Sequence, residues 1–283
     1  MSDHEIERIG ILLTGFENAN IPALQFLVLH MNTLQHAFEF EFLPVNPKDE
    51  FIKKLLSSSS SSPVNRNETR GDTSVFLGRY KDFLQGRVKV YEINEAPADY
   101  FIMVTKTYFD DKYYTMREDA LSIIALGNWK RSMAPPSILE FILTLIIREA
   151  VASVSKSLSG SIHLGTKGCL FDFTASLNEV RNKVLNGFIC RHCREELKRG
   201  GFSDFADELT PILQKQWLGK SDDPTSPAGI SLKLGYDLFT TKGSEATKWE
   251  KFLTTIQDEG VKQLIKIAGG VIIAGLLFWL GWK

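Results

Sequence analysis

The three cysteines in this chain of 283 residues all fall in one short stretch beside a histidine. The order is His163-x5-Cys169-x20-Cys190-x2-Cys193, within "HLGTKGCLFDFTASLNEVRNKVLNGFICRHCREEL". Two thiolates separated by two residues can grip one tetrahedral cation, and a second pair farther away closes the shell. This chemistry predicts a structural Zn2+ held by His163, Cys169, Cys190 and Cys193, with no position left for a reacting water. Two other readings stay open here: a redox pair of Cys190 and Cys193, or buried thiols holding nothing. A thioredoxin-type pair belongs after the first strand of a compact α/β unit, which disfavours the redox reading. His192 sits between the paired cysteines and competes with His163 as fourth ligand, although its ring is expected to face solvent.

No second set of residues offers catalytic chemistry of comparable weight. A His-Glu-x-x-His helix puts two histidines on one face with a base beside them. The single His-Glu here is His4-Glu5, and Arg8 stands in the place of the second histidine. His30 and His36 are six apart, a poor chelating interval, and read as core or surface residues. Gly219-Lys220-Ser221 echoes a phosphate loop, but Gln214 replaces the leading glycine and no strand precedes it. The basic run Arg191–Arg199 is interrupted by Glu195 and Glu196 and reads as a solvated helix face, so no nucleic-acid partner is expected.

The elements that must position the cysteine segment follow from patterning. "RIGILLTG" and "FEFEFLPV" read as strands flanking a helix in "PALQFLVLHMNTLQHAF", a β-α-β opening with parallel pairing. "DEFIKKLL" reads as a short helix, and "SVFLGRYKDFLQG" as another. Between them, the serine-rich 57–73 reads as a mobile polar insert. "VKVYEI", "DYFIMVTK" and "ALSIIAL" read as further strands, and "SILEFILTLIIREAVASVSKSL" as a central helix too apolar to be exposed. Ser176 begins a helix, and the Cys190 turn opens another over "REELKRG". Beyond Gly200-Gly201, "SDFADELT" and "PILQKQW" read as separate amphipathic pieces, and "GISLKLGYDLF" as a small strand or hairpin arm.

Bulk properties fit an ordinary globular body: 43% apolar residues, 24% charged and a formal net charge of −1. A charge so near zero creates no global field to recruit nucleic acid. The N-terminal "MSDHEIERIG" lacks the basic and apolar regions of a secretory signal, and three cysteines, an odd count, point to a reducing compartment. The body is therefore expected to be cytoplasmic.

The C-terminus has a different character. "IAGGVIIAGLLFWLGW", Ile267 to Trp282, carries no charge, is flanked by Lys262 and Lys266, and places Trp279 and Trp282 at its far end. Its length suits a thin bilayer or a span whose flanking lysine snorkels, and Gly270-x-x-x-Ala274 could let two such helices pack. The chain thus reads as a single-pass membrane protein with a cytoplasmic N-terminal body. Residues 1–200 would form an α/β zinc-binding domain, 201–260 a helical, amphipathic connector, and 261–283 a transmembrane tail anchor. The fold class is α/β: a mixed, mainly parallel sheet, a long core helix, a zinc-pinned segment and a C-terminal transmembrane helix.

Residues 160–197 resemble the end of the archaemetzincin group of metallopeptidases. There, an elongated His-Glu-x-x-His-x-x-Gly-x-x-His motif runs into a Cys, a Cys-x-Met and a later Cys-x-x-Cys. Gly160-x-x-His163 matches the motif's last glycine and histidine, Cys169-Leu-Phe171 falls on Cys-x-Met, and Cys190 and Cys193 match the final pair. Ser153, Val154 and Ser157 stand where the family has its two other histidines and its catalytic glutamate, and Leu164 replaces its first structural cysteine. A slipped alignment taking Glu149 of "REAV" as the base still lacks histidine partners. The resemblance therefore implies an inherited scaffold that keeps a structural zinc and has no catalytic residues. The alternative is a divergent membrane-anchored zinc metallopeptidase with its ligands elsewhere. Two partners are expected: the membrane, through the C-terminal helix, and a protein ligand or second copy of the chain.

Overall fold

The computed structural model describes residues 6–16, 20–160 and 162–250. Met1–Ser244 form one compact unit and Glu245–Lys283 a second. The membrane span expected at 261–283, and the helix expected to carry Phe252 and Ile256, lie outside the described residues. Among the described residues no helix is long and apolar enough to cross a membrane.

The first unit is a mixed α/β layer structure whose sheet has the order β2-β1-β3-β5-β4. Strands β1 (Glu7–Thr14), β2 (Phe38–Phe42), β3 (Tyr100–Thr105) and β5 (Leu121–Ala125) run parallel. Strand β4 (Thr115–Glu118) closes one edge antiparallel to β5. The β-α-β opening is as the sequence predicts, with α1 (Ile21–Met31) as its crossover. The side chain of Asn20 accepts from the N–H of Ala23 to cap α1, and Ala23, Leu24, Leu27, Val28 and Met31 line its buried face. Strand β4 has no clean sequence signal: "TMRE" is four residues long and ends in two charges.

Both faces of the sheet are covered. On one face Ile9, Ile11, Ile102, Val104 and Ile124 pack with α1 and with α4 (Ile138–Val154). On the other Leu12, Phe101, Met103 and Ile123 pack with α2 (Glu50–Leu56) and α3 (Arg66–Val90). Gly10 serves this second layer, since a Cβ there would stand 2.5 Å from Leu43 Cδ1. Helix α4 is the central helix the sequence predicts, with all but three of its 17 residues buried. It starts at a capping box in which Ser137 and Glu140 satisfy each other's backbone N–H groups.

Four expectations are corrected. The insert 57–73 is not a mobile loop throughout: Val64 bridges Phe109, Asn65 caps α3, and the second half of the insert forms that helix's first turns. "VKVYEI" is not a strand; the chain stays helical to Val90, which is exposed and has no neighbouring strand to pair with. The amphipathic pieces after Gly201 are not split at Pro211, which lies inside α7 (Phe205–Gln214). "GISLKLGYDLF" is no hairpin arm: Ser226 caps α8 (Pro227–Lys233), and Tyr236 and Leu238 are buried beyond it. Phe205, Leu209, Ile212, Ala228 and Tyr236 all join the core on the α4 face, so residues assigned from sequence to a connector extend the same compact unit.

Candidate metal centre

The chain leaves α4 through a tight 3-10 turn, Lys156–Leu158, and then lays two short strand-like bridges against itself. His163 pairs with Asp172, and Cys169 pairs with Phe188. Between them residues 167–172 form a knuckle built on one carboxylate. Asp172 Oδ2 accepts the backbone N–H groups of Lys167, Gly168 and Cys169 at 2.6, 2.6 and 3.1 Å. Gly168 adopts φ +79°, where a Cβ would also strike Asn186, so this turn requires glycine. Helix α5 (Leu177–Asn186) returns the chain and ends at Gly187 in the left-handed region. Cys190 then occupies the N-cap of α6 (Arg191–Arg199), and Cys193 lies in its first turn.

These elements bring all four predicted ligands together. Cys190 Sγ lies 3.1 Å and Cys193 Sγ 3.2 Å from His163 Nε2, and Cys169 Sγ lies 3.9 Å from Cys193 Sγ. All four donor atoms lie within 4.8 Å of one another. A tetrahedral zinc, with bonds of about 2.3 Å to sulfur and 2.0–2.1 Å to nitrogen, needs donors roughly 3.5–3.8 Å apart. The observed spacing brackets that range, so the donor set fits zinc. No disulfide competes, since all three cysteines are free thiols. His192 is exposed and only packs its ring edge-on to His163 at 5.9 Å, so the place it could have contested goes to His163.

The electrostatics favour a thiolate at Cys169. Cys193 shares a hydrogen bond with Cys169 that holds the Cys169 thiol down to about 5 and pushes the Cys193 thiol up. The N–H groups of Phe171 and Cys190 point at the Cys169 sulfur as well, the latter at 3.4 Å. The N-terminus of α6 adds positive partial charge beside Cys190 and Cys193. One zinc with three thiolates carries a net negative charge, and the buried amine of Lys183 lies near Cys169 and Asp172. Burial, then the charge of Arg148, brings that amine down to about 8. Asp172 and Lys183 are the supporting residues that sequence reading missed. The available signal was an aspartate three residues after Cys169, preceded by a turn glycine.

The positions that the archaemetzincin resemblance assigns to catalysis lie apart from this cluster in character. Ser153 turns its hydroxyl back to the carbonyl of Ala150 at 2.7 Å, and Val154 is the last residue of α4. Ser157 faces Ser155 across 3.2 Å. Leu164, standing for a structural cysteine of that family, is 95% exposed and contributes nothing to the cluster. Glu149 is fully buried, with one oxygen taken by Arg148 and the other by Arg117 of β4. Burial raises its carboxyl, but the two guanidiniums outweigh that and hold it below the usual range. A carboxylate held so is a poor general base.

No known protein family, curated protein or solved structure matches this chain. Among the described residues the four ligands form the one group of histidine, cysteine or acidic side chains placed to hold a metal. Four protein donors, three of them buried, would make a closed shell of the structural kind around a bound metal.

Proposed function

We propose that this chain is a non-catalytic, zinc-clasped α/β scaffold of the archaemetzincin type, tethered to a membrane by residues 261–283. The observation that carries the proposal is the closed Cys3His group: it can hold a metal yet leaves no coordination position for chemistry. The membrane half rests on the uncharged run Ile267–Trp282 with lysines before it and tryptophans at its end. In this reading the body is cytoplasmic and recognises a protein or small ligand. It passes that state to the membrane helix, through oligomers, as a signalling or defence effector does. The pseudo-peptidase character rests on the sequence departures at Ser153, Val154 and Ser157 and on the pinned state of Glu149.

Metal analysis of the purified full chain tests the first half. One zinc per chain is expected, falling to none in Cys190→Ser with loss of folded protein. Two zincs, or hydrolysis of a peptide that a chelator stops without unfolding, would establish the divergent-peptidase alternative instead. Cell fractionation with and without residues 261–283 tests the second half. Membrane association is expected only for the full chain, and a soluble full chain would refute the tether.

A further inference from the structure

A second cluster of buried polar groups lies apart from the cysteines. A cavity of about 390 Å³ is bounded by β4, the first turns of α3, the second half of α4 and Ser159–Gly160. That volume suits a small metabolite. Four arginines line it, together with Glu118, Asp119 and Glu149.

The charges are unevenly spread. At the rim, Arg70 Nε pairs with Glu118 at 3.2 Å, Arg66 Nε pairs with Asp111 at 2.5 Å, and Asp119 accepts from the Ser74 hydroxyl at 2.6 Å. The rim is thus balanced or slightly acidic. The inner end holds Arg117, Arg148 and the single carboxylate of Glu149, a trio with one positive charge left over. Arg117 is otherwise satisfied, donating from Nε to the Ser122 hydroxyl at 3.0 Å and from Nη1 to the Ser159 carbonyl at 2.7 Å. Arg148 is not. It is 5% exposed, and its Nε–H is shut away from water without an acceptor among the described residues. Nε itself meets no open space, so what an entering acceptor would meet is the remainder of the Arg148 guanidinium, which lines the cavity.

We propose that this cavity is a binding site for the carboxylate of a small organic acid, which accepts from Arg148 at the inner end. One carboxylate turns the trio into a neutral set of two guanidiniums and two carboxylates, the pairing that the planar fork of arginine favours. The rim charges of Arg66, Arg70, Glu118 and Asp119 cancel and the inner end has one surplus positive charge, so the cavity matches a monoanion better than a phosphate-rich polyanion. None of the metal ligands lines the cavity, so the site stands whether or not the zinc reading holds.

Calorimetric titration of the full metal-loaded chain with acetate, lactate and glycylglycine tests the proposal, with methyl acetate and inorganic phosphate as controls. At least one carboxylate is expected to give saturable heat and a rise in Tm, methyl acetate none, and phosphate a weaker response. R117M removes the surplus charge while leaving Arg148 paired with Glu149, and is expected to weaken carboxylate binding at least tenfold. R148M/E149L replaces both members of the buried pair and should abolish binding; R117M decides the matter should that double variant fail to fold. A response from no carboxylate, an equal response in R117M, or phosphate binding tighter than every carboxylate would overturn the site.

Discussion

The Cys3His clasp and the Arg117–Glu149–Arg148 trio are both polar islands in an apolar interior, and they solve the problem of buried charge in opposite ways. The clasp is made of groups whose charge a bound cation balances: thiols that ionise, Cys169 most readily, and an imidazole that binds as the neutral ring. The trio is made of charges that persist at neutral pH, so each must find a permanent partner or remain a cost. The clasp's ligands come from 31 consecutive positions, His163 to Cys193, arranged by one knuckle and one helix start. The trio joins β4 to α4, with Arg117 and Glu149 32 residues apart. With a metal bound, one island would be opened by removing the ion, the other only by changing the chain.

The largest effect should come from removing the ion. Binding of a structural zinc carries on the order of 10 kcal/mol in small metal-dependent domains. A chelator at neutral pH is expected to expose amides of residues 160–200 to hydrogen exchange while β1, β3 and β5 stay protected by their own core. Uniform protection after chelation would show that the cysteines hold nothing.

The trio should respond to mutation instead. Arg148→Ala leaves Glu149 buried with one partner fewer, at an expected cost of about 3–5 kcal/mol. Replacing both partners with apolar residues should be neutral or stabilising by about 1–4 kcal/mol. Denaturant unfolding of the single and double variants measures the difference, and equal destabilisation by both would mean the pair is not truly desolvated. Acid sharpens the contrast. The folded pKa of Glu149 lies below its unfolded value of about 4.3, so its contribution is complete above that value. It is lost as pH falls through the folded value. Protonation of thiolates and imidazole releases zinc before that point, so metal loss should precede collapse of the sheet in an acid titration followed by metal dye and circular dichroism.

How much of this was readable from the residues differs between the islands for a physical reason. Soft ligands at Cys-x-x-Cys spacing advertise themselves, and all four donor atoms meet. The β-α-β opening, β3, β5 and α4 were equally plain, because each is a buried apolar run with its own start signals. Short-range pattern misled where tertiary packing overrode it. The β-branched run of Val88, Val90 and Ile93 reads as a strand, yet α3 carries the chain through Val90. "GISLKLGYDLF" reads as a small strand or hairpin arm, yet its first residue, Gly229, sits in α8 with the Asp223 carbonyl too close for any Cβ. The trio left one trace, an Arg-Glu pair inside the apolar run of α4, and its third member on β4 has no local mark at all.

The knuckle offers an intermediate test, because Asp172 supports the clasp without touching the cluster. Asp172→Asn keeps the shape and removes the charge from three charge-assisted hydrogen bonds, which are worth about 1.5–3 kcal/mol each when an ion takes part. An outer partner of a metal site typically changes affinity by about 10–100-fold, so zinc should be held correspondingly more weakly in a competition with a chelating dye. Unchanged affinity would mean that the bridge at Cys169 alone fixes that ligand.

The smallest effect is expected at the residue that looks most like a ligand on paper. His192 lies between Cys190 and Cys193, but α6 turns it outward, with its ring edge-on to that of His163 at 5.9 Å. His192→Ala should therefore keep one zinc per chain and shift stability by no more than about 0.5 kcal/mol, as for an ordinary surface substitution. His163→Ala, by contrast, removes the nitrogen that stands 3.1 and 3.2 Å from two sulfurs. The pair of variants, read by zinc stoichiometry and by the d–d spectrum of a Co2+-substituted protein, separates the two histidines. A spectrum changed by His192→Ala and unchanged by His163→Ala would exchange their roles and turn the N-terminus of α6 inward.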